Sequence, residues 1–173
     1  MHHSLGISQP IHRRALLARA ALLAAAPAAA NQTRLPAIPL AASDGAPTLA
    51  ADAPGNRWRA AWIDIWASWC GPCKLSFPWM NEMHERYAAA GLRIVAINVD
   101  RHEADAQRFL RQLPARFPLA MDPAGNAPRQ LDAKAMPSSW LVRPDRTLLL
   151  SHGGFRLEDR NDLERRIRGA LGL

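Results

Sequence analysis

The stretch Trp62-Ile63-Asp64-Ile65-Trp66-Ala67-Ser68-Trp69-Cys70-Gly71-Pro72-Cys73-Lys74 holds both cysteines of the chain and three of its six tryptophans. An apolar run rich in Ile and Trp, with no breaker, reads as a buried strand, and Gly71-Pro72 marks a turn into a helix. Proline is tolerated in a first helical turn because its missing N–H would have had no partner inside the helix. The spacing therefore predicts Cys70 at a strand-to-helix junction and Cys73 one turn inside the helix, on the same face. Two sulfurs so placed can close a small disulfide ring. The partial positive charge of a helix N-terminus favours a thiolate at Cys70. An accessible thiolate with a second thiol to resolve its mixed disulfide is the equipment of thiol–disulfide exchange.

Other uses of two cysteines fit less well. A structural zinc site needs four ligands, and no second cysteine pair exists; His84 and His102 are the available additions, and neither sits in a paired histidine motif. Covalent haem attachment needs histidine after the second cysteine, where the chain has Lys74. A purely structural bridge over so short a loop removes little entropy from the unfolded chain.

With 173 residues, the chain has room for one sizeable core. The net charge is +7, but Arg13, Arg14 and Arg19 lie in a first segment that contains no acid. Elsewhere the charges are spread, and the stretches 156–160 and 164–168 mix signs, as a solvated helix face does. Nucleic acid is not an expected partner.

In chain order, Met1–Ala30 reads as a secretory signal. Arg13-Arg14 precede an Ala/Leu-rich stretch, and Ala28-Ala29-Ala30 offers small residues before a cut at Asn31. Its apolar part is far shorter than the ~20 residues that span a bilayer. Both general secretory and twin-arginine export remain open. Residues 31–57 are rich in Ala and Pro, and Leu35-Pro36-Ala37-Ile38-Pro39-Leu40 is expected as a short edge strand. The main domain is expected over 58–173. Its elements are a strand at Ala60–Trp66, a helix over 72–90 kinked at Pro78 and stopped by Gly91, and a strand over 92–99. A helix over 103–113 carries Phe109, Leu110 and Leu113 as an apolar stripe, and a short strand covers 117–121. Asp122-Pro123-Ala124-Gly125-Asn126 is a turn, then come a strand over 139–142, an antiparallel partner over 147–152 and a closing helix over 158–171. Alternating strands and helices imply a parallel centre to the sheet.

Asp64 through Lys74 closely resembles the thioredoxin active-site signature, and the rest of the chain resembles the TlpA/ResA-like branch of that superfamily. The resemblance implies an α/β, thioredoxin-like fold: a central mixed β-sheet with helices on both faces, a strand–helix insertion and an N-terminal β-hairpin. It also implies that Pro137 is a cis-proline lying against the active-site disulfide, and that Pro78 is the family's kinking proline.

The same resemblance distributes roles. Cys70 attacks and Cys73 resolves. Trp69, Gly71 and Pro72 form the rim a substrate meets, while Met136, Pro137, His152 and Gly153 with Gly154 line a groove for an extended peptide. Met136 would contact the disulfide. His152 is the groove residue that could titrate near neutrality, although a plain surface histidine is the simpler reading. Asp64 stands where thioredoxins keep a buried acid. Burial should raise its pKa, and it could then take the Cys73 proton. The lysine that faces this acid in thioredoxin is replaced, by register, by Ala96. Ser76 stands where ResA-like proteins carry a glutamate, which weakens any transfer of their role in cytochrome c maturation.

The expected function is periplasmic disulfide reduction in exported proteins through Cys70 and Cys73, with no cofactor beyond that redox-active pair. A DsbD/CcdA-type membrane thiol transporter is the expected electron donor, and the protein is expected to be a monomer. Gly71-Pro72 is the dipeptide of thioredoxin, whose potential of about −270 mV is far more reducing than the roughly −120 mV of DsbA. A disulfide-forming oxidant and a copper- or zinc-binding thiol module remain the alternatives.

Overall fold

The computed structural model describes residues 1–2, 33–38, the backbone of 41–42, and 58–173. The chain divides into two units, Met1–Ala30 and Asn31–Leu173. The expected export signal lies outside the described residues, as does most of the expected hairpin.

Among the described residues, six strands form one mixed sheet in the order β1-β4-β3-β2-β5-β6. The strand β2 (Ala60–Trp66) is buried along its whole length, as its composition, apolar at every position but Asp64, leads one to expect. It pairs in parallel with β3 (Leu92–Asn98) and antiparallel with β5 (Ser138–Val142). Beyond β3 lies β4 (Leu119–Met121), parallel to it, and β1 (Ala41–Ala42) closes that edge antiparallel to β4. On the other side β6 (Leu148–Gly153) pairs antiparallel with β5.

Alternation along β2 splits the core in two. Trp62 and Trp66 point to the side covered by α1 (Cys73–Tyr87), α2 (Glu103–Gln112) and α4 (Arg160–Leu171), where Phe77, Met80, Met83, Phe109, Leu163 and Ile167 are buried. Ile63 and Ile65 point to the other side, which Leu35, Trp58, Trp140 and the short helix α3 (Asn126–Gln130) cover with Leu131 just past its end. Helices thus flank both faces, three against one. Trp66 packs edge-on to Phe77 at 4.7 Å, and Phe77 meets Phe109 at 4.9 Å, so the insertion helix α2 is tied to α1 through aromatic rings.

Three details depart from expectation. Leu35–Leu40 is not an edge strand in its described part: Arg34 forms an isolated bridge to Thr147, and Leu35 N–H bonds to the Arg146 carbonyl at 3.0 Å. Pro36 has no N–H to continue a ladder. The turn after Asp122 runs into α3, which the pattern did not announce; the Asp122 carboxylate accepts the Ala127 N–H and helps start that turn of helix. And α1 begins at Cys73 with Pro72 as its cap, so Cys73 is the first helical residue rather than one turn inside. Tyr87 ends it, and Gly91 at φ +99° then turns the chain into β3, its N–H bonded to the Ala88 carbonyl.

Candidate active site

The loop 67–72 carries the chain from the end of β2 to the start of α1. Its shape comes from backbone bonds on both sides: Cys70 N–H reaches the Ala67 carbonyl at 3.1 Å, and Lys74 N–H reaches the Gly71 carbonyl at 3.0 Å. Cys70 and Cys73 form a disulfide with an S–S distance of 2.03 Å. The Cys73 amide donates to Cys70 Sγ at 3.2 Å. The first turn of α1 holds no acid, so nothing there offsets its positive end. In the reduced protein that amide and the helix end both favour negative charge on Cys70.

Exposure separates the two cysteines only slightly. Cys70 is 3% exposed and Cys73 fully buried, so Cys70 is the outer sulfur but a recessed one. Around it Gly71 and Pro72 are exposed, and Trp69 is 69% exposed. Trp69, Gly71 and Pro72 thus form an exposed rim, with the Cys70 sulfur just beneath.

The Met136–Pro137 bond is cis. The Pro137 carbonyl accepts the Gly154 N–H at 2.7 Å, and Ser138 Oγ–H bonds back to the Ala135 carbonyl at 2.7 Å. These bonds fix the loop leading into β5. Met136 is partly buried and packs against the core cluster that contains both cysteines. Gly153 is the register partner of Ser138, and His152 that of Ser139.

Asp64 sits in the middle of β2, on the side that faces α1. It is buried, and Ser139 Oγ–H donates to its Oδ1 at 2.6 Å while Oδ2 has no hydrogen-bond partner. Burial pushes its pKa from 3.8 up to about 7, with the Ser139 bond opposing the rise. The register partner on β3 is Ala96, so no cation meets Asp64 from that strand.

Two contributors escaped sequence reading. Asp100, just past β3, accepts the Ser68 N–H at 2.9 Å, the Ser68 hydroxyl at 3.0 Å and the Asn98 amide at 2.8 Å. It ties the cysteine loop to β3. The only signal was a polar pair, Asn98 and Asp100, at the end of an apolar strand. Ser139 is the other, visible beforehand merely as a strand residue. Beside Trp69, a cavity of about 150 Å³ opens between the loop and α2, lined by Ser68, Lys74, Asp105, Arg108 and Phe109 among others.

Comparison with known proteins places this geometry. The model of the AhpC/TSA family matches residues 32–150. Thiol-disulfide oxidoreductase ResA of Bacillus thuringiensis subsp. konkukian is 29% identical over 89 residues, 51% of this chain and 51% of the relative. ResA of Bacillus subtilis is 26% identical over 89 residues, 51% of this chain and 50% of the relative. The chain thus spans about half the length of the curated relatives it matches. Among solved structures, a Chlorobium tepidum protein described as thiol:disulfide interchange protein DsbE superposes with a TM-score of 0.75 at 42% identity, covering 82% of this chain and 97% of that one. StoA from Bacillus subtilis, at 18% identity and a TM-score of 0.56 over 66% of this chain and 85% of that one, shares the fold.

Proposed function

The chain belongs to the AhpC/TSA family, as a TlpA/ResA-like member of the thioredoxin superfamily, and from that premise we propose that it is a thiol–disulfide oxidoreductase that reduces disulfides of exported proteins. The observation that carries this reading is the Cys70–Cys73 pair at the start of α1, with the Cys73 amide on Cys70 Sγ beneath an exposed Trp69 rim.

The residues suggest the following sequence. In the reduced protein the Cys70 thiolate attacks one sulfur of a substrate disulfide, forming a mixed disulfide and expelling the other substrate sulfur as thiolate. Asp64, ionised, takes the proton of Cys73 directly or through a water. The Cys73 thiolate then attacks Cys70 Sγ, closing the Cys70–Cys73 bond and releasing the second substrate sulfur. Two electrons pass from the dithiol to the substrate. The loop at Met136-Pro137, with Met136 packed against the cluster that holds both cysteines, supports reading this edge as the groove for an extended peptide. Among the described residues no third His, Cys, Asp or Glu joins the cysteines.

The setting is proposed on the same footing. Met1–Ala30 directs export to the periplasm and is removed near Asn31, and a DsbD/CcdA-type membrane thiol transporter returns electrons to a monomeric protein. No helix of the described residues is long and apolar enough to cross a membrane. The test is reduction of insulin disulfides by dithiothreitol, with and without the protein, alongside its redox potential. Acceleration and a potential near that of thioredoxin, about −270 mV, support a reductant; a value near −120 mV reverses the direction.

A further inference from the structure

We infer that Asp64, Ser139 and His152 form a proton path across the sheet, linking the buried Asp64 carboxyl to solvent through His152, whose ring lies beside Asp159. The three residues occupy one row: Ser139 is the register partner of Asp64 on β2 and of His152 on β6. Directly opposed residues of antiparallel strands project to the same side, with Cβ atoms about 4.5–5.5 Å apart. The inner link is a made hydrogen bond, Ser139 Oγ–H to Asp64 Oδ1 at 2.6 Å. At the outer end, His152 Nε2 is a buried atom with no hydrogen-bond partner, 3.4 Å from Asp159 Oδ2, while the ring as a whole is partly exposed.

The surroundings leave this row as the polar way out. Toward β3 the row ends at Ala96. Toward the helices Asp64 faces the side of Trp62, Trp66, Phe77 and Met80, where the Ser76 hydroxyl is bonded to the Cys73 carbonyl and the Tyr87 hydroxyl to Glu164. The charges near the outer end are engaged: Arg160 of α4 pairs with Glu82 at 2.6 Å, Arg156 lies 3.9 Å from Glu158, and the Arg156 N–H binds Asp159 Oδ2 at 3.0 Å. A carboxyl this deep, which gains a proton in each turnover, needs such a route, because exchange with water otherwise waits for the fold to open.

The transfer balances without charge on the serine. Once the Ser139 hydroxyl turns its hydrogen from Asp64 toward His152, Asp64 Oδ1 passes its proton to Ser139 Oγ as the serine passes its own hydroxyl proton to a His152 ring nitrogen, directly or through one water. His152 then releases a proton to solvent, and the reverse sequence reprotonates Asp64. Only O–H and N–H bonds change.

This inference rests on the exchange reading for the source of the proton, yet its test does not need activity. A pH jump across neutrality is followed through the infrared carbonyl band of protonated Asp64, identified by its loss in Asp64→Asn. In dilute buffer His152→Ala should slow the relaxation by about a hundredfold or more, the scale of a lost acid–base partner, and added imidazole should restore it. His152→Gln, which keeps a polar side chain of similar size, should behave the same way. Ser139→Ala should slow relaxation with no rescue by imidazole. Wild-type relaxation in either His152 variant, or slowing that imidazole does not relieve, overturns the path. Failure of insulin reduction with this pattern intact removes the proposed activity and leaves the path standing.

Discussion

Asp100 holds Ser68 by both of its carboxylate oxygens, Oδ2 taking the Ser68 N–H at 2.9 Å and Oδ1 its hydroxyl at 3.0 Å, two residues before Cys70. The carboxylate is buried, and it also accepts the Asn98 amide. Asp100→Ala leaves three donors without their acceptor. A loss of about 1–3 kcal/mol is expected for leaving such buried groups unpaired, measured by urea unfolding. Disulfide reduction should slow as well, because the loop that presents Cys70 loses its tie to β3. Unchanged stability together with an unchanged rate would remove Asp100 from the site.

Asp64 has the opposite effect on stability. Its pKa rises from 3.8 to about 7 on folding, so between those pH values the folded protein holds a proton that the unfolded chain has released. Stability from this group is full below the unfolded value and is lost as pH rises through the folded one. At roughly 1.4 kcal/mol per pKa unit, the cost above neutrality reaches the order of 4 kcal/mol. Asp64→Asn should therefore stabilise the protein at pH 8 and change little at pH 4, as unfolding at the two pH values will show. The same variant should slow disulfide reduction most where the native carboxyl is ionised, and superimposable pH–rate profiles would end its role as a base.

Cysteine variants separate attack from resolution. Cys73→Ser is expected to accumulate mixed disulfides with substrate proteins, because Cys70 can attack and nothing releases it. Cys70→Ser should accumulate none. Non-reducing gels of the two variants decide the matter, and equal trapping by both would reverse the assignment.

Two tryptophans three residues apart should behave differently. Trp66 is buried against Phe77 and Phe109, and Trp66→Ala should cost about 3–5 kcal/mol. Trp69 is 69% exposed, and Trp69→Ala should alter stability by about 0.5 kcal/mol or less while weakening insulin reduction, read as a raised KM.

How much of this was legible beforehand follows from the physics of each element. β2, β3 and the long helix α1 were readable because an unbroken apolar run and a Gly-Pro turn are local signals. The alignment of Asp64 with Ala96 was readable too, since parallel strands of equal length leave little freedom in register. The start of α1 was misplaced because Pro72 can serve either as cap or as first helical residue. Ser139 and Asp100 were not legible as site residues. Each acts across the sheet on a side chain 75 or 32 positions away, and no spacing rule carries that information. The start of α3 depends likewise on a side-chain bond, from Ala127 to Asp122.

The strand order has a consequence for how such a protein can vary. β2 stands between β3 and β5, so the cysteine loop and the Met136–Pro137 loop arise from immediate neighbours. Everything from α2 to α3 is threaded out to the β4 and β1 edge and returns to the far side of β2 only at β5. Length and composition can change in that excursion without parting the two loops, because the spacing between them is set by one antiparallel ladder. The surface of α2 beside Trp69 can thus change in charge and shape while the two loops stay in place. The architecture keeps its variable ground and its fixed ground on different strands.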